Sequence, residues 1–378
     1  MDNLLDRYDS FKYKSVTGRY ITPDHLAELL PRFKPEVVGR SVRGEDILMI
    51  TLGTGPVRIL AWSQMHGNEG TTTKALADLL NGVRQGLFAD ILEKVTLAVI
   101  PILNPDGARE YTRVNAAAVD LNRDFVDLSQ PESLALMRVF NSFSPDYCFN
   151  MHDQRTIFGA GDTGKPATIS FLAPAFDPAR SLNAVRMRAM EVIGQMNHAL
   201  QGHLPGMVGR FDDSFNRQCA GDTFTVLGAS TILFEAGHFP GDYEREISRK
   251  FMFYALFMGI KYISENDVAG SHIAEYLSIP QNKICFYDIV YKNVKINYDS
   301  TELITNFAVQ FREILSEGKI DFVAEIASVG ENDIFGHREY DARGDLFAGA
   351  SAATPQVGAA ADFSIGRAKF RNGLPAAT

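Results

Sequence analysis

Between residue 46 and about residue 264 the chain alternates short β-branched runs with longer stretches whose apolar residues recur every three or four positions. That alternation dictates an α/β fold, a mixed and mostly parallel sheet with helices on both faces. Residues 47–52, 58–63, 95–103, 146–151 and 231–234 read as strands, and 71–80, 131–143, 179–200 and 242–263 as helices. Thr22-Pro23-Asp24 announces one more helix near the start, as cap, first-turn proline and first-turn acid. After about residue 267 helical periodicity fades, and 284–296, 308–314 and 321–329 read as strands. The organisation expected is a catalytic domain over 1–266 and a β-rich domain over 267–378. The Ala/Gly-rich stretch 342–361 reads as a loop before a last strand near 363–370.

Charge narrows the range of partners. With 37 Lys plus Arg against 46 Asp plus Glu, the formal charge is −9, which excludes a nucleic-acid backbone or an anionic membrane as the main partner. Cys148, Cys219 and Cys285 lie far apart and form no C-x-x-C pair, so neither a disulfide framework nor a thiolate metal knot is expected. Together with an amino terminus lacking basic and apolar signal regions, that usage points to the cytoplasm. The longest apolar run, 251–260, is far short of the roughly 20 residues that span a bilayer and reads as a buried helix. Nothing in the sequence sets the oligomeric state.

Chemistry enters with His66-Gly67-Asn68-Glu69. A histidine and a carboxylate three apart reach one divalent metal when the backbone between them turns sharply, which Gly67 permits. His25-Leu26-Ala27-Glu28 and His272-Ile273-Ala274-Glu275 carry the same spacing but sit in helical or solvent-facing stretches, so surface roles are expected for them. His66 instead follows the apolar run 59–62, and ligands cluster at the carboxyl ends of strands in open α/β sheets. A catalytic zinc site takes three protein ligands, and His152, just beyond the run 147–151, supplies the third. Arg113, Asn122 and Arg123 stand in loop segments between these ligands and suit a substrate carboxylate, to which guanidinium offers bidentate donors. Glu235 ends the run 231–234, where desolvation would raise its pKa toward general-base work.

In order, H-G-N-E, N-P-D-G, T-R-x-N, D-L-N-R-D-F, a strand-end histidine and a strand-end glutamate resemble the M14-type zinc metallocarboxypeptidases over roughly residues 15–265. The resemblance implies one Zn2+ per chain held by His66, Glu69 and His152, with Glu235 as general base. It also implies that Asp120 orients His66, that Arg113 polarises the scissile carbonyl, and that Asn122 and Arg123 hold the terminal carboxylate of a peptide. The pattern departs at two places. Residues 209–222 contain no tyrosine where digestive members carry one, and Ala236-Gly237-His238 follows Glu235 where those members place an arginine. Asp213 or Asp222 could favour a basic side chain, but cap or turn roles are expected of both.

Two alternatives stay open at this level. The chain is also similar to aspartoacylase and succinylglutamate desuccinylase, deacylases of N-acyl amino acids that share H-x-x-E and carry a β-rich carboxyl-terminal domain. A non-catalytic protein binding carboxylate-ended ligands on a decayed peptidase scaffold would have lost a zinc ligand or the glutamate, and all four residues are present.

Overall fold

The computed structural model describes residues 3–298, 301–331, 333–349 and 352–376. Chain contacts divide it into two compact units. One runs to residue 154 and resumes over 167–282, and the other combines 155–166 with residues from 283 onward.

In chain order the strands are β1 (Glu36–Arg40), β2 (Asp46–Leu52), β3 (Val57–Trp62), β4 (Val95–Ile100), β5 (Tyr147–Asp153), β6 (Phe158–Ala160), β7 (Ile169–Leu172), β8 (Val208–Arg210) and β9 (Ser230–Ala236). All but β6 form one eight-stranded sheet in the order β1-β2-β4-β3-β5-β9-β7-β8. Pairings β4–β3–β5–β9 and β7–β8 are parallel, and the remaining three are antiparallel. The central strands are buried on both faces, which is why they read as continuous apolar runs. In β3, Ile59 and Ala61 join one apolar cluster, whereas Leu60 and Trp62 join the other.

Those clusters are the two helical layers. Helices α1 (Thr71–Arg84), α4 (Ala184–Gln201) and α6 (Glu246–Glu265) cover one face; α3 (Pro131–Phe143) and α5 (Ala220–Val226) cover the other. The short helix α2 (Pro105–Glu110) follows β4. Helices α1 and α3 start where periodicity places them, whereas α4 and α6 start four to five residues later, because their caps precede them. Asn183 accepts from Arg186 N over 2.9 Å before α4, and the Asp242 carboxylate accepts from Glu246, Ile247 and Ser248 N over 2.7–3.1 Å before α6. The start signal at Thr22 yields only a 3-10 turn, Pro23–Leu26, which the Thr22 and His25 side chains cap. Strand β4 stops at Ile100, before Pro101, which lacks the ladder N–H.

In the second unit the strands Lys319–Val329, Thr301–Ser316, Phe286–Tyr298 and Phe335–Asp341 form one sheet in that order. Phe347–Gly349, Phe363–Ile365, Ala368–Arg371 and Leu374–Pro375 form another. Tyr291, Phe307, Phe347, Phe363 and Phe370 share one apolar cluster. Thus 342–361 is not loop throughout: Phe347 buries its ring and anchors a strand against Phe363–Ile365, while residues 350 and 351 lie outside the described residues. The last strand divides in two at a turn containing Gly366 at φ +57. Residues 267–282, read from sequence with the β-rich part, pack with the first unit, where Tyr276 and Ile279 are buried in its larger cluster. Among the described residues no helix is long and apolar enough to cross a membrane.

Candidate metal centre and surrounding site

The site is assembled at the carboxyl ends of β3, β5 and β9. Past β3 the chain bends through Gln64, at φ +45, and turns tightly over His66–Glu69, with Glu69 N donating to His66 O over 3.1 Å. Gly67 is demanded by its neighbour: a Cβ there would lie 2.0 Å from the Gly107 carbonyl carbon. The H-G-N-E and N-P-D-G motifs are therefore two backbones in contact. Asn104 braces that contact, accepting from Gly107 N over 2.9 Å and donating to Met65 O over 3.2 Å.

His66, Glu69 and His152 are all buried and converge. Glu69 Oε1 lies 2.8 Å from His66 Nδ1, Glu69 Oε2 2.8 Å from His152 Nδ1, and the two Nδ1 atoms are 3.1 Å apart. Asp120 Oδ1 stands 3.0 Å from His66 Nε2 and accepts a hydrogen bond from Nε2–H, which leaves the Nδ1 lone pair facing inward. Burial works against charge on Glu69, yet the two imidazoles hold its carboxyl well below the ordinary carboxylate range. Burial also pushes His152 below the ordinary imidazole range, against the pull of Glu69. Lone pairs so close are stable together only with a cation or shared protons among them. Tetrahedral N and O ligands at about 2.1 Å from zinc would be separated by roughly 3.4 Å, which these atoms reach by opening about half an ångström or less. The donor set therefore fits a divalent metal, and could hold one ion.

Glu235 is paired in register with His152 across the parallel β5–β9 ladder, so the two side chains stand side by side on one sheet face. Its Oε2 is shielded from solvent and has no hydrogen-bond partner among the described residues. Burial first, then the charges of Glu69 and Asp153, push the Glu235 carboxyl well above its ordinary value.

The segment between the motifs forms a polar wall. Arg113, half exposed, donates from Nε to Asp120 Oδ2 over 3.1 Å and from Nη1 to Glu69 Oε1 over 3.3 Å. Asn115 shapes this loop by accepting from Ala117 and Val119 N over 3.1 and 3.0 Å. Asp120 also caps the 3-10 turn Leu121–Arg123, accepting from Asn122 N over 2.9 Å. Asn122 Oδ1 accepts from Ala220 N at the start of α5 over 3.0 Å, and Arg123 Nη1 donates to Asn122 O and to Cys219 Sγ over 2.7 and 3.2 Å. The structure thus links Arg113, Asp120, Asn122 and Arg123 in one chain of hydrogen bonds beginning at His66.

The remaining candidates have other partners. Asp213 pairs with Arg186 and Arg180, an ion-pair role in place of the cap or turn expected of it, whereas Asp222 accepts from Asn216 N over 3.0 Å. His25 accepts from Thr22 N over 3.1 Å, and His272 and Glu275 are exposed. Sequence reasoning missed two neighbours of the site. Asp153 accepts from Thr71 and Thr72 N over 2.9 and 3.2 Å, tying the end of β5 to the start of α1, and its place directly after His152 was the available signal. Arg245, buried between strand ends, had none.

Residues 22–153 match the family model described as Zinc carboxypeptidase. "Probable carboxypeptidase 2" of Arthroderma benhamiae is 34% identical over 132 residues, which cover 33% of this chain and 24% of that protein. "Carboxypeptidase SOL1" of Arabidopsis thaliana is 32% identical over 151 residues, covering 32% and 31%. The chain thus spans about a quarter to a third of the length of these relatives. In solved structures the carboxypeptidase A of Helicoverpa armigera superposes with a TM-score of 0.52 at 16% identity, over 73% of this chain and 81% of that one. A metallo-carboxypeptidase from Burkholderia cenocepacia gives 0.51 at 18%, over 64% and 70%. At these identities the structures show a common fold.

Proposed function

We propose, from a chain whose residues 22–153 belong to the zinc carboxypeptidase family, that this protein is a zinc-dependent hydrolase removing the carboxyl-terminal residue of a peptide or peptide-like substrate. The observation that carries the reading is the convergence of His66, Glu69 and His152 with Glu235 in register beside them. A zinc held by those three residues would supply Lewis acidity toward water and the scissile carbonyl. The protein's own groups do the rest. Glu235 takes a proton from the attacking water; as the C–O bond forms and the C–N bond breaks, it returns that proton to the leaving nitrogen. Arg113, anchored by Asp120, places its guanidinium beside the carbonyl oxygen and stabilises the charge that develops there. The Arg123 guanidinium and the Asn122 amide hold the terminal carboxylate, which selects the last residue of the chain.

Asp120 acts through His66. Replacing it, as Asp120→Ala, frees the ring to rotate and change tautomer, so zinc affinity is expected to fall roughly 10- to 100-fold. Chelator competition measures this, and equal affinity in the variant would remove Asp120 from that role.

The function itself is tested by mass spectrometry of products after zinc-loaded protein meets peptides and N-acyl amino acids, beside a chelator-treated control. Loss of single carboxyl-terminal residues, blocked by the chelator, is expected. Release of amino acids from the N-acyl compounds alone would make the protein a deacylase.

A further inference from the structure

The guanidinium of Arg245 is aimed at the strand ends that carry that chemistry. The residue is 1% exposed. Nη1 donates to Ala236 O over 2.7 Å and Nη2 to Gln154 O over 2.9 Å. Ala236 follows Glu235, Gln154 lies two residues beyond His152, and Gln154 N donates to Ala236 O over 3.0 Å at the end of the ladder. One planar fork therefore closes the β5–β9 pair just past the glutamate and the histidine.

The backbone makes the side chain's job plainer. Arg245 sits at φ +58 and ψ 31, a left-handed conformation that costs a residue with a side chain about 1 kcal/mol and glycine almost nothing. The turn before α6 is already closed by the Asp242 cap. Were backbone shape the only demand, glycine would meet it with less strain. A large cation in that conformation, with both arms on these two carbonyls, is held there for what its fork grips.

We propose that Arg245 is a positioning residue that sets the spacing of the β5 and β9 ends, and through them the placement of Glu235 relative to His152. The inference rests on the reading of those two residues as base and metal ligand. Displacement of a catalytic group by about 1 Å costs on the order of 100-fold in rate, so a loosened pair of strand ends is felt in kcat before it is felt in substrate binding.

Two variants of the full chain separate fork from charge and from backbone. Arg245→Lys keeps the charge without the planar fork; Arg245→Gly removes the side chain and relieves the backbone. In both, kcat for carboxyl-terminal cleavage is expected to fall about 10- to 100-fold with KM within about twofold, and zinc affinity about tenfold. With an active wild type, kcat decides: full kcat in either variant overturns the proposal, as does a loss that only tracks unfolded protein by circular dichroism in both. If the wild type cleaves nothing in the substrate panel, the hydrolase reading fails separately and zinc affinity decides. A tenfold weakening then sustains the positioning role, and wild-type affinity overturns it.

Discussion

Glu235→Gln is expected to lose about a thousandfold in kcat while binding zinc as tightly as the wild type. Glutamine fills the same volume beside His152 but accepts no proton, so water activation and leaving-group protonation are lost together; proton transfer of this kind is worth on the order of 10²–10⁴-fold. The carboxyl is placed for the task, with Oε2 shielded and, among the described residues, free of hydrogen bonds that would compete for its lone pairs. Since burial raises its pKa, kcat/KM is expected to fall as pH is lowered through a value above the 4.5 of an ordinary glutamate. The base works only when ionised, and protonation switches it off. Steady-state kinetics beside metal analysis checks the variant. Substantial turnover by zinc-loaded Glu235→Gln would sink the assignment, and joint loss of zinc and activity would move Glu235 among the metal-binding groups.

Much of this site was legible because strand ends and glycines are local signals. His66 was separable from His25 and His272 by what precedes it, an apolar strand, and by Gly67, which the Gly107 backbone demands. His152 and Glu235 lie at the ends of runs buried on both faces, and the parallel register brings them together. Asp213 shows the opposite limit: its charge is taken by Arg186, 27 residues away, and no local pattern announces such a pair. Strands β7 and β8, at four and three residues, are too short to display a period. The texture change at 267 was real, but Tyr276 and Ile279 pack with the first unit, and packing rather than composition places the division after Asn282. The departure of 155–166 to the second unit had no signal, since a single short excursion leaves no periodicity behind.

The largest effect on folding is expected far from any polar wall, at Asp78 on α1 and Arg249 on α6. Both are fully buried. Asp78 accepts from Arg249 Nε and Nη2 over 2.8 and 2.7 Å, from the Tyr8 hydroxyl over 2.7 Å and from Tyr13 N over 2.7 Å. Arg249 in turn donates to Val16 and Tyr13 carbonyls over 2.6 and 2.9 Å, so the pair fastens the amino-terminal segment across two helices. Removing Asp78 leaves the buried Arg249 with only the Glu246 carboxylate, 3.1 Å from Nη1, for its charge, and Asp78→Ala is expected to cost about 3–5 kcal/mol. For a unit of this size that lowers the melting midpoint by roughly 10 °C. Replacing both groups, as Asp78→Leu with Arg249→Met, leaves no orphaned ion and should cost less than the sum of the single changes, a coupling that thermal melts of the full cycle would measure. Additive losses would mean that water reaches the pair in the folded chain. Because helix α1 begins two residues after Glu69 and is tied to β5 through Asp153, weakening its hold on α6 should also lower the temperature at which zinc is lost. At 25 °C, below the transition, kcat should stay that of the wild type, which separates this pair's contribution to stability from the chemistry assigned to Glu235.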